Sequence, residues 1–123
     1  YTAKELKQNK TMHSLTFLRG KKVCAFSGIG NPNNFKTTLE ALGANVVSFI
    51  SFADHHRYNI DDVEQIKSEA KRHQSEIIVT TEKDSVKLNY NNFIEEIFTL
   101  VIDISFGDDE SKLQDIIFST TNR

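Results

Sequence analysis

The stretch VCAFSGIGNP, residues 23–32, places an apolar, strand-like run directly before a polar turn that contains two glycines. Three apolar residues then recur at i, i+4 and i+7: Phe35, Leu39 and Leu42. This spacing marks one face of an amphipathic helix. Asn33 or Asn34 is the expected N-cap of the helix, and Gly43 its expected end. The stretch therefore predicts a strand, a tight turn and a helix, in that order.

The same order, an apolar run and then a polar motif, occurs twice more. Residues 46–52 precede ADHHRY (residues 53–58), and residues 77–79 precede TTEKD (residues 80–84). If the three runs are parallel strands, their motifs all emerge at one edge of the sheet, where open α/β folds bind ligands. The chain is therefore predicted to form one wall of a polar active site.

A second helix is predicted after the ADHHRY motif. Asn59 is its expected N-cap and Asp62 stands at its N3 position, the arrangement of a capping box. Its predicted buried side consists of four residues: Ile60, Val63, Ile66 and Ala70. The helix is expected to end near Gln74.

The remaining segments complete the predicted architecture. A helix or turn near residues 91–97 leads into a strand at residues 98–104. Ser111 is the expected cap of a closing helix lined by Leu113, Ile116 and Ile117. The polar residues 1–10 are predicted to be a poorly ordered or helical tail, and residues 11–18 a leading strand or a linker.

The alternation of strands and helices predicts an α/β fold: a three-layer α/β/α sandwich with a mainly parallel, Rossmann-like sheet. A length of 123 residues fits one such domain. We expect residues 21–123 to form a single α/β domain, with residues 1–20 as an N-terminal tail, leading strand or linker.

Composition excludes several classes of function. A net charge of -2 argues against a dedicated nucleic-acid binder, which usually has a basic excess. The apolar stretches are too short to cross a bilayer. Cys24 is the only cysteine, so no internal disulfide is possible, and its apolar surroundings predict a small buried hydrophobic residue.

The turn at residues 28–32 has two interpretations. Gly28 and Gly30 would let the backbone approach a phosphate at the start of the following helix. The alternative is a tight turn between a strand and a helix, with no ligand. Asn33 stands where a G-x-G-x-x-G motif needs its third glycine, and the chain has no Walker A sequence.

The ADHHRY and TTEKD motifs carry more chemistry. A histidine beside a carboxylate can act as a base near neutral pH, and of His55 and His56 we expect one to face the site and the other solvent. A metal site is less favoured, because the two other histidines of the chain lack ligand-like spacing to this pair. Lys83 can hold a phosphate that Glu82 and Asp84 position, although an intramolecular ion-pair cluster would use the same residues. Residues 108–110, DDE, are predicted to be a solvated helix start rather than a metal site.

Four motifs in this order resemble the C-terminal domain of the tetraacyldisaccharide 4'-kinase family of lipid A biosynthesis in Gram-negative bacteria: SGIGNP (27–32), DHHRY (54–58), TTEKDSVK (80–87) and GDDE (107–110). The resemblance covers roughly residues 15–118. It implies transfer of the ATP γ-phosphoryl group to the 4'-hydroxyl of a lipid A disaccharide precursor. It also implies that ATP and Mg²⁺ are bound mainly by an N-terminal P-loop domain. Family members are peripheral proteins on the cytoplasmic face of the inner membrane. Because the family's Walker A loop lies in the N-terminal domain, the resemblance also implies that this chain is inactive alone.

The resemblance also implies roles for individual residues. His55 matches the family histidine that pairs with an aspartate of the other domain to activate the 4'-hydroxyl. Two groups are implied to line the cleft near the nucleotide, with no metal ligand among them: Gly28, Gly30 and Asn31, and then Glu82, Lys83 and Asp84. Two non-catalytic interpretations remain open, a stand-alone nucleotide- or phosphate-binding module and a scaffold domain.

Overall fold

The computed structural model describes residues 2–8, 10–29, 31–88 and 93–103. Six strands form one sheet in the order β2-β1-β6-β5-β3-β4. In chain order the strands are β1 (Thr2–Gln8), β2 (Thr11–His13), β3 (Lys22–Ser27), β4 (Asn45–Ser51), β5 (Ile77–Thr81) and β6 (Phe98–Asp103). The helices are α1 (Pro32–Ala41), α2 (Ile60–Arg72), α3 (Glu82–Ser85) and α4 (Phe93–Glu96), with a 3₁₀ turn at Leu15–Leu18.

The sheet is mainly parallel, as predicted. β3 pairs in parallel with β4 and β5, and β5 pairs in parallel with β6. Among the described strands, only the pairings of β1, with β2 and with β6, are antiparallel. The α/β class is therefore confirmed, and an antiparallel hairpin extends one side of the parallel sheet.

Helices cover both faces of the sheet. Successive residues of β3 point to opposite faces, so their packing partners identify the helix on each face. Ala25 shares a core cluster with Phe35 of α1. Phe26 lies in a second cluster, with Val63 and Ile66 of α2. These two clusters are the two cores of a three-layer sandwich.

The prediction of a disordered or helical tail at the N-terminus is wrong for the residues that form β1. Leu6 is fully buried and pairs with Leu100 of β6, whereas Lys4 and Lys7 are exposed. An antiparallel strand with one solvated face needs few apolar residues, so its polar composition concealed it. The division of the chain near residue 20 stays a prediction.

Helix boundaries confirm some sequence predictions and correct others. Asn59 and Asp62 form the predicted capping box, with Asn59 Oδ1 accepting from Asp62 N at 2.9 Å. Ile60 was predicted to be buried but is 40% exposed, because it begins α2 before the helix reaches the core. The expected cap at Asn33 or Asn34 is also wrong. α1 begins at Pro32, whose fixed φ and missing N–H suit a first helical position.

The other elements lie close to their predicted positions. Gly43 follows α1 with a φ of 95°, the left-handed conformation that ends many helices. The closing helix and the GDDE motif lie outside the described residues. Among the helices that the structure does describe, none combines the length and apolar character needed to cross a membrane.

Candidate functional site

The three polar motifs meet at one edge of the sheet, as predicted. Gly28 follows β3, and its carbonyl oxygen accepts a hydrogen bond from His55 N at 3.2 Å. Gly28 N donates to Asp84 Oδ1 at 3.0 Å. Residues that follow β3, β4 and β5 are thus directly bonded to one another, as the carboxyl ends of neighbouring parallel strands allow.

Asp84 lies at the centre of this edge and is fully buried. Its Oδ1 accepts from Gly28 N and from the Tyr58 hydroxyl, each at 3.0 Å. Its Oδ2 accepts from the Thr81 hydroxyl at 2.6 Å. The three donors belong to groups without charge, so this buried carboxylate is held by hydrogen bonds rather than by an ion pair.

The start of α3 places Asp84 in this position. Thr81 is the N-cap of α3, and its Oγ1 accepts from Asp84 N at 3.1 Å. The Thr81 hydroxyl in turn donates to Asp84 Oδ2, so the two residues bond each other reciprocally. This local pair aims the carboxylate inward, towards β3 and the loop after β4.

Tyr58 remains a hydrogen-bond donor across the physiological pH range. Burial, and then the negative charge of Asp84 and the hydrogen bond to it, raise the pKa of the Tyr58 hydroxyl far above its usual value. The ring also packs edge-on against Phe26 and Phe52, with centroids 5.7 and 5.1 Å away. Tyr58 therefore fixes its loop to the core and presents its proton to Asp84.

Close neighbours favour glycine at position 28. A Cβ there would lie 3.0 Å from the Ala53 carbonyl oxygen, 3.2 Å from Asp84 Oδ1 and 3.3 Å from His56 Cβ. A side chain at this position would therefore have to push the loops after β3 and β4 apart by a few tenths of an ångström. This accounts for Gly28 without any ligand, as the tight-turn interpretation allowed.

His55 lies at the tip of the loop after β4. Its side chain is 78% exposed, and its Nε2 is 3.7 Å from Asp54 Oδ2. Its φ is 62°, a left-handed conformation that is uncommon for residues other than glycine. Such conformations occur often at functional sites, where the surrounding structure imposes them.

His56 has the opposite environment. Its Nε2 donates to Asp62 Oδ2 at 2.8 Å, and its ring stacks on Phe52 with centroids 4.6 Å apart. Asp62 is the N3 residue of the capping box that begins α2, so His56 joins the loop to the helix start. The expected division of the two histidines is therefore observed in a modified form: His55 is exposed at the edge, and His56 is packed against the domain.

The other predicted site residues are at the surface. Lys83 Nζ lies 3.6 Å from Asp54 Oδ1, with both side chains about half exposed, so the ion-pair interpretation of this motif describes a real contact. Glu82 is exposed. Asn31 is exposed at the N-cap position of α1, but its side chain makes no capping hydrogen bond. Gly30 lies outside the described residues.

No metal-binding cluster is evident in the described part of the chain, where no group of three or more His, Cys, Asp or Glu side chains is placed to hold an ion. Cys24 is buried, as predicted, and burial raises its pKa to about 11. It is a thiol at neutral pH, and thus a poor nucleophile.

Sequence reasoning did not identify the hydrogen-bonding roles of Tyr58 and Thr81. Both lie inside motifs that drew attention for their charged residues. The available signal was position alone, because each residue adjoins the end of a strand that the pattern had located. Neither residue type indicates in advance that its hydroxyl turns inward to a carboxylate.

Comparison with known proteins gives a consistent result. The family model of tetraacyldisaccharide-1-P 4'-kinase matches residues 1–122. The chain is 51% identical over 74 residues to the tetraacyldisaccharide 4'-kinase of Syntrophus aciditrophicus, covering 60% of this chain and 20% of that protein. It is 42% identical over 94 residues to that of Halothermothrix orenii, covering 72% and 24%. It is 36% identical over 111 residues to that of Rhodopseudomonas palustris, covering 89% and 32%.

These relatives are much longer than the matched region. The chain spans between 20% and 32% of the length of the three proteins just described. No solved structure matches it.

Proposed function

Because this chain belongs to the tetraacyldisaccharide-1-P 4'-kinase family, we propose that it is the C-terminal part of a kinase acting in lipid A biosynthesis. The kinase transfers the γ-phosphoryl group of ATP to the 4'-hydroxyl of a tetraacyldisaccharide 1-phosphate. In this proposal an N-terminal P-loop domain of the same protein binds most of the ATP and the Mg²⁺, and the present chain is inactive alone. The intact protein works at the cytoplasmic face of the inner membrane as a peripheral protein.

The environment of His55 is the observation that carries the proposal. Phosphoryl transfer leaves one task to a side chain, the removal of the proton from the attacking hydroxyl. An imidazole that is exposed and held by a constrained backbone suits this task. We propose that His55 takes the proton of the 4'-hydroxyl while that oxygen bonds to the γ-phosphorus and ADP leaves. An aspartate of the N-terminal domain is proposed to pair with His55.

The same edge supplies the proposed nucleotide-side wall of the cleft. Gly28 and Asn31 precede α1, and Glu82 and Lys83 lie on the exposed side of α3. The place of Gly30 in this wall stays a prediction. Lys83 and its ion-pair partner Asp54 are both about half exposed, so the ammonium group of Lys83 can turn to a phosphate. Asp84 shapes this wall from below, because its oxygens already accept three internal hydrogen bonds.

The test is His55→Ala in the intact kinase that contains this chain, assayed with Mg-ATP and a tetraacyldisaccharide 1-phosphate. Loss of a positioned general base is expected to lower kcat/KM by about 10²–10⁴-fold. His73→Ala is the matched control, because His73 is an exposed histidine near the end of α2 that pairs with Glu69. An unchanged kcat/KM in His55→Ala would remove the base assignment and favour the binding-module or scaffold interpretation.

A further inference from the structure

The buried carboxylate of Asp84 lies below the exposed tip that carries His55 and has no contact with solvent. We propose that Asp84 is a positioning residue: it holds Gly28 and Tyr58 and thereby fixes the backbone of His55. This inference rests on the proposed role of His55 as the base. It assigns Asp84 a role at the site that involves no contact with ATP or the sugar.

Two consecutive hydrogen bonds connect Asp84 to His55. Asp84 Oδ1 accepts from Gly28 N at 3.0 Å, and the Gly28 carbonyl oxygen accepts from His55 N at 3.2 Å. Gly28 is buried, and its backbone makes both bonds: its N–H donates to Asp84, and its carbonyl oxygen accepts from His55. The position of the carboxylate is thus transmitted to the residue that carries the imidazole.

His55 lies in a turn that is closed by a backbone hydrogen bond. His56 N donates to the Ala53 carbonyl oxygen at 3.0 Å, which places His55 third in a four-residue turn. A positive φ at the third position is characteristic of type II turns, where glycine or asparagine is usual. Histidine at this position is therefore maintained by the contacts that dock the turn, rather than by its own preference.

The second arm of the network reaches the far side of the same turn. The Tyr58 hydroxyl donates to Asp84 Oδ1 at 3.0 Å. The Tyr58 ring packs edge-on against His56, with centroids 4.9 Å apart. Asp84 therefore holds the turn itself through Gly28, and the segment after the turn through Tyr58.

A carboxylate suits this position because one oxygen must accept two donors at once. In Asp84→Ala, three buried donors lose their acceptor: Gly28 N, the Tyr58 hydroxyl and the Thr81 hydroxyl. In Asp84→Asn, the amide oxygen still accepts from Gly28 and Tyr58, and the amide nitrogen can donate to Thr81 Oγ1. The two variants therefore separate loss of the acceptor from loss of the charge.

The experiment is a double-mutant cycle between Asp84→Ala and His55→Ala in the intact kinase, with Asp84→Asn beside it. Misplacement of the base is expected to lower kcat about 10- to 100-fold in Asp84→Ala, with the KM for ATP little changed. If Asp84 acts through His55, the double variant loses no more activity than His55→Ala alone. Asp84→Asn should recover most of kcat.

Thr80→Val is the matched control for a general loss of stability. Thr80 is fully buried, and its hydroxyl donates to the carbonyl oxygen of Phe26, within β3, at 2.8 Å. Its kcat should stay near the parent value. Amide hydrogen exchange is the second readout, and in Asp84→Asn it should rise little at Gly28 and His55. In Asp84→Ala it should rise at these two amides before the rest of the sheet.

The experiment distinguishes failure of the proposed function from failure of the positioning role. A silent His55→Ala would overturn the proposed function itself. Suppose instead that His55→Ala lowers kcat. The positioning role alone would then be overturned if the losses of kcat in Asp84→Ala and His55→Ala added in the double variant. It would also be overturned if Asp84→Ala kept a kcat as high as that of Thr80→Val. If Asp84→Ala does not fold, Tyr58→Phe removes one donor of the same network. Tyr58→Phe should then lower kcat and add nothing to His55→Ala, and an additive loss would contradict the proposal.

Discussion

Two consecutive histidines in the loop after β4 lie in opposite environments. His55 is exposed and has a left-handed backbone, and its Nε2 is 3.7 Å from the carboxylate of Asp54. His56 stacks on Phe52 and bonds the carboxylate of Asp62. The side chains differ in packing although they share a residue type and a motif.

The difference shows how one short motif can carry both a structural and a chemical function. His56, Tyr58 and Asp62 anchor the loop to the core and to the start of α2. Because this anchoring is complete without His55, the imidazole of His55 is available for a reaction. A histidine that is needed for packing could not move freely to meet a substrate.

Between the two histidines, the larger expected effect on stability is that of His56→Ala. It removes a hydrogen bond to a carboxylate and two aromatic contacts, which together should lower the free energy of unfolding by about 2 kcal/mol. His55→Ala is the matched control and should change stability by less than about 0.5 kcal/mol, as at most surface positions. Urea denaturation of the two variants measures the difference.

Equal losses of stability in the two variants would contradict this comparison. A loss of stability in His55→Ala alone would mean that His55, and not His56, anchors the loop. Asp62→Ala offers an independent check, since it should destabilise through both His56 and the cap of α2.

A smaller effect on stability is expected at alkaline pH, and it arises from Tyr58, which packs against His56. The pKa of Tyr58 is raised in the folded state, so its contribution to stability is complete below about pH 10 and falls as the pH rises further. The loss should be about 1 kcal/mol by pH 11. Chemical denaturation at pH 8 to 11 measures it, and Tyr58→Phe should flatten the decline.

This measurement needs a background that lacks the only thiol. The pKa of Cys24 is raised to about 11, so its ionisation would weaken the fold in the same range. Cys24→Ala removes that contribution. If Tyr58→Phe then leaves the decline unchanged, the phenol is not the group that resists ionisation.

The fold was largely predictable because apolar runs mark covered strands. β3, β4 and β5 lie close to their predicted positions, and the helix after each of the first two follows its 3.6-residue pattern. β1 was not predictable in this way. Its single buried leucine, Leu6, has its partner in β6, about 94 residues later in the sequence, and no local pattern records such a pairing.

The sequence predicted where the candidate site lies, but not which of its residues form hydrogen bonds with one another. Parallel strands bring Gly28, His55 and Asp84 to one edge, and the structure confirms that they meet there. Which side chain turns inward depends on three-dimensional contacts, as Asp84 and Lys83 show: they are adjacent, yet one is fully buried and the other about half exposed. The catalytic and binding roles of these residues stay predictions.

The smallest expected effect is a gain in stability, and it concerns the exposed residue His55. The φ of 62° at His55 disfavours any residue with a Cβ, by roughly 1–2 kcal/mol for the left-handed conformation. Glycine removes this penalty but loses more entropy on folding. His55→Gly should therefore be more stable than His55→Ala by about 0.5–1 kcal/mol.

Comparing these two variants isolates the backbone, because both lack the imidazole. Urea denaturation should show a higher midpoint for His55→Gly at an unchanged m-value, while both variants lack the base in the kinase assay. A midpoint no higher than that of His55→Ala would mean that the turn is not strained. A higher midpoint would mean that the turn gives up stability to hold a side chain at this position, which is the relation expected where a residue is kept for its chemistry.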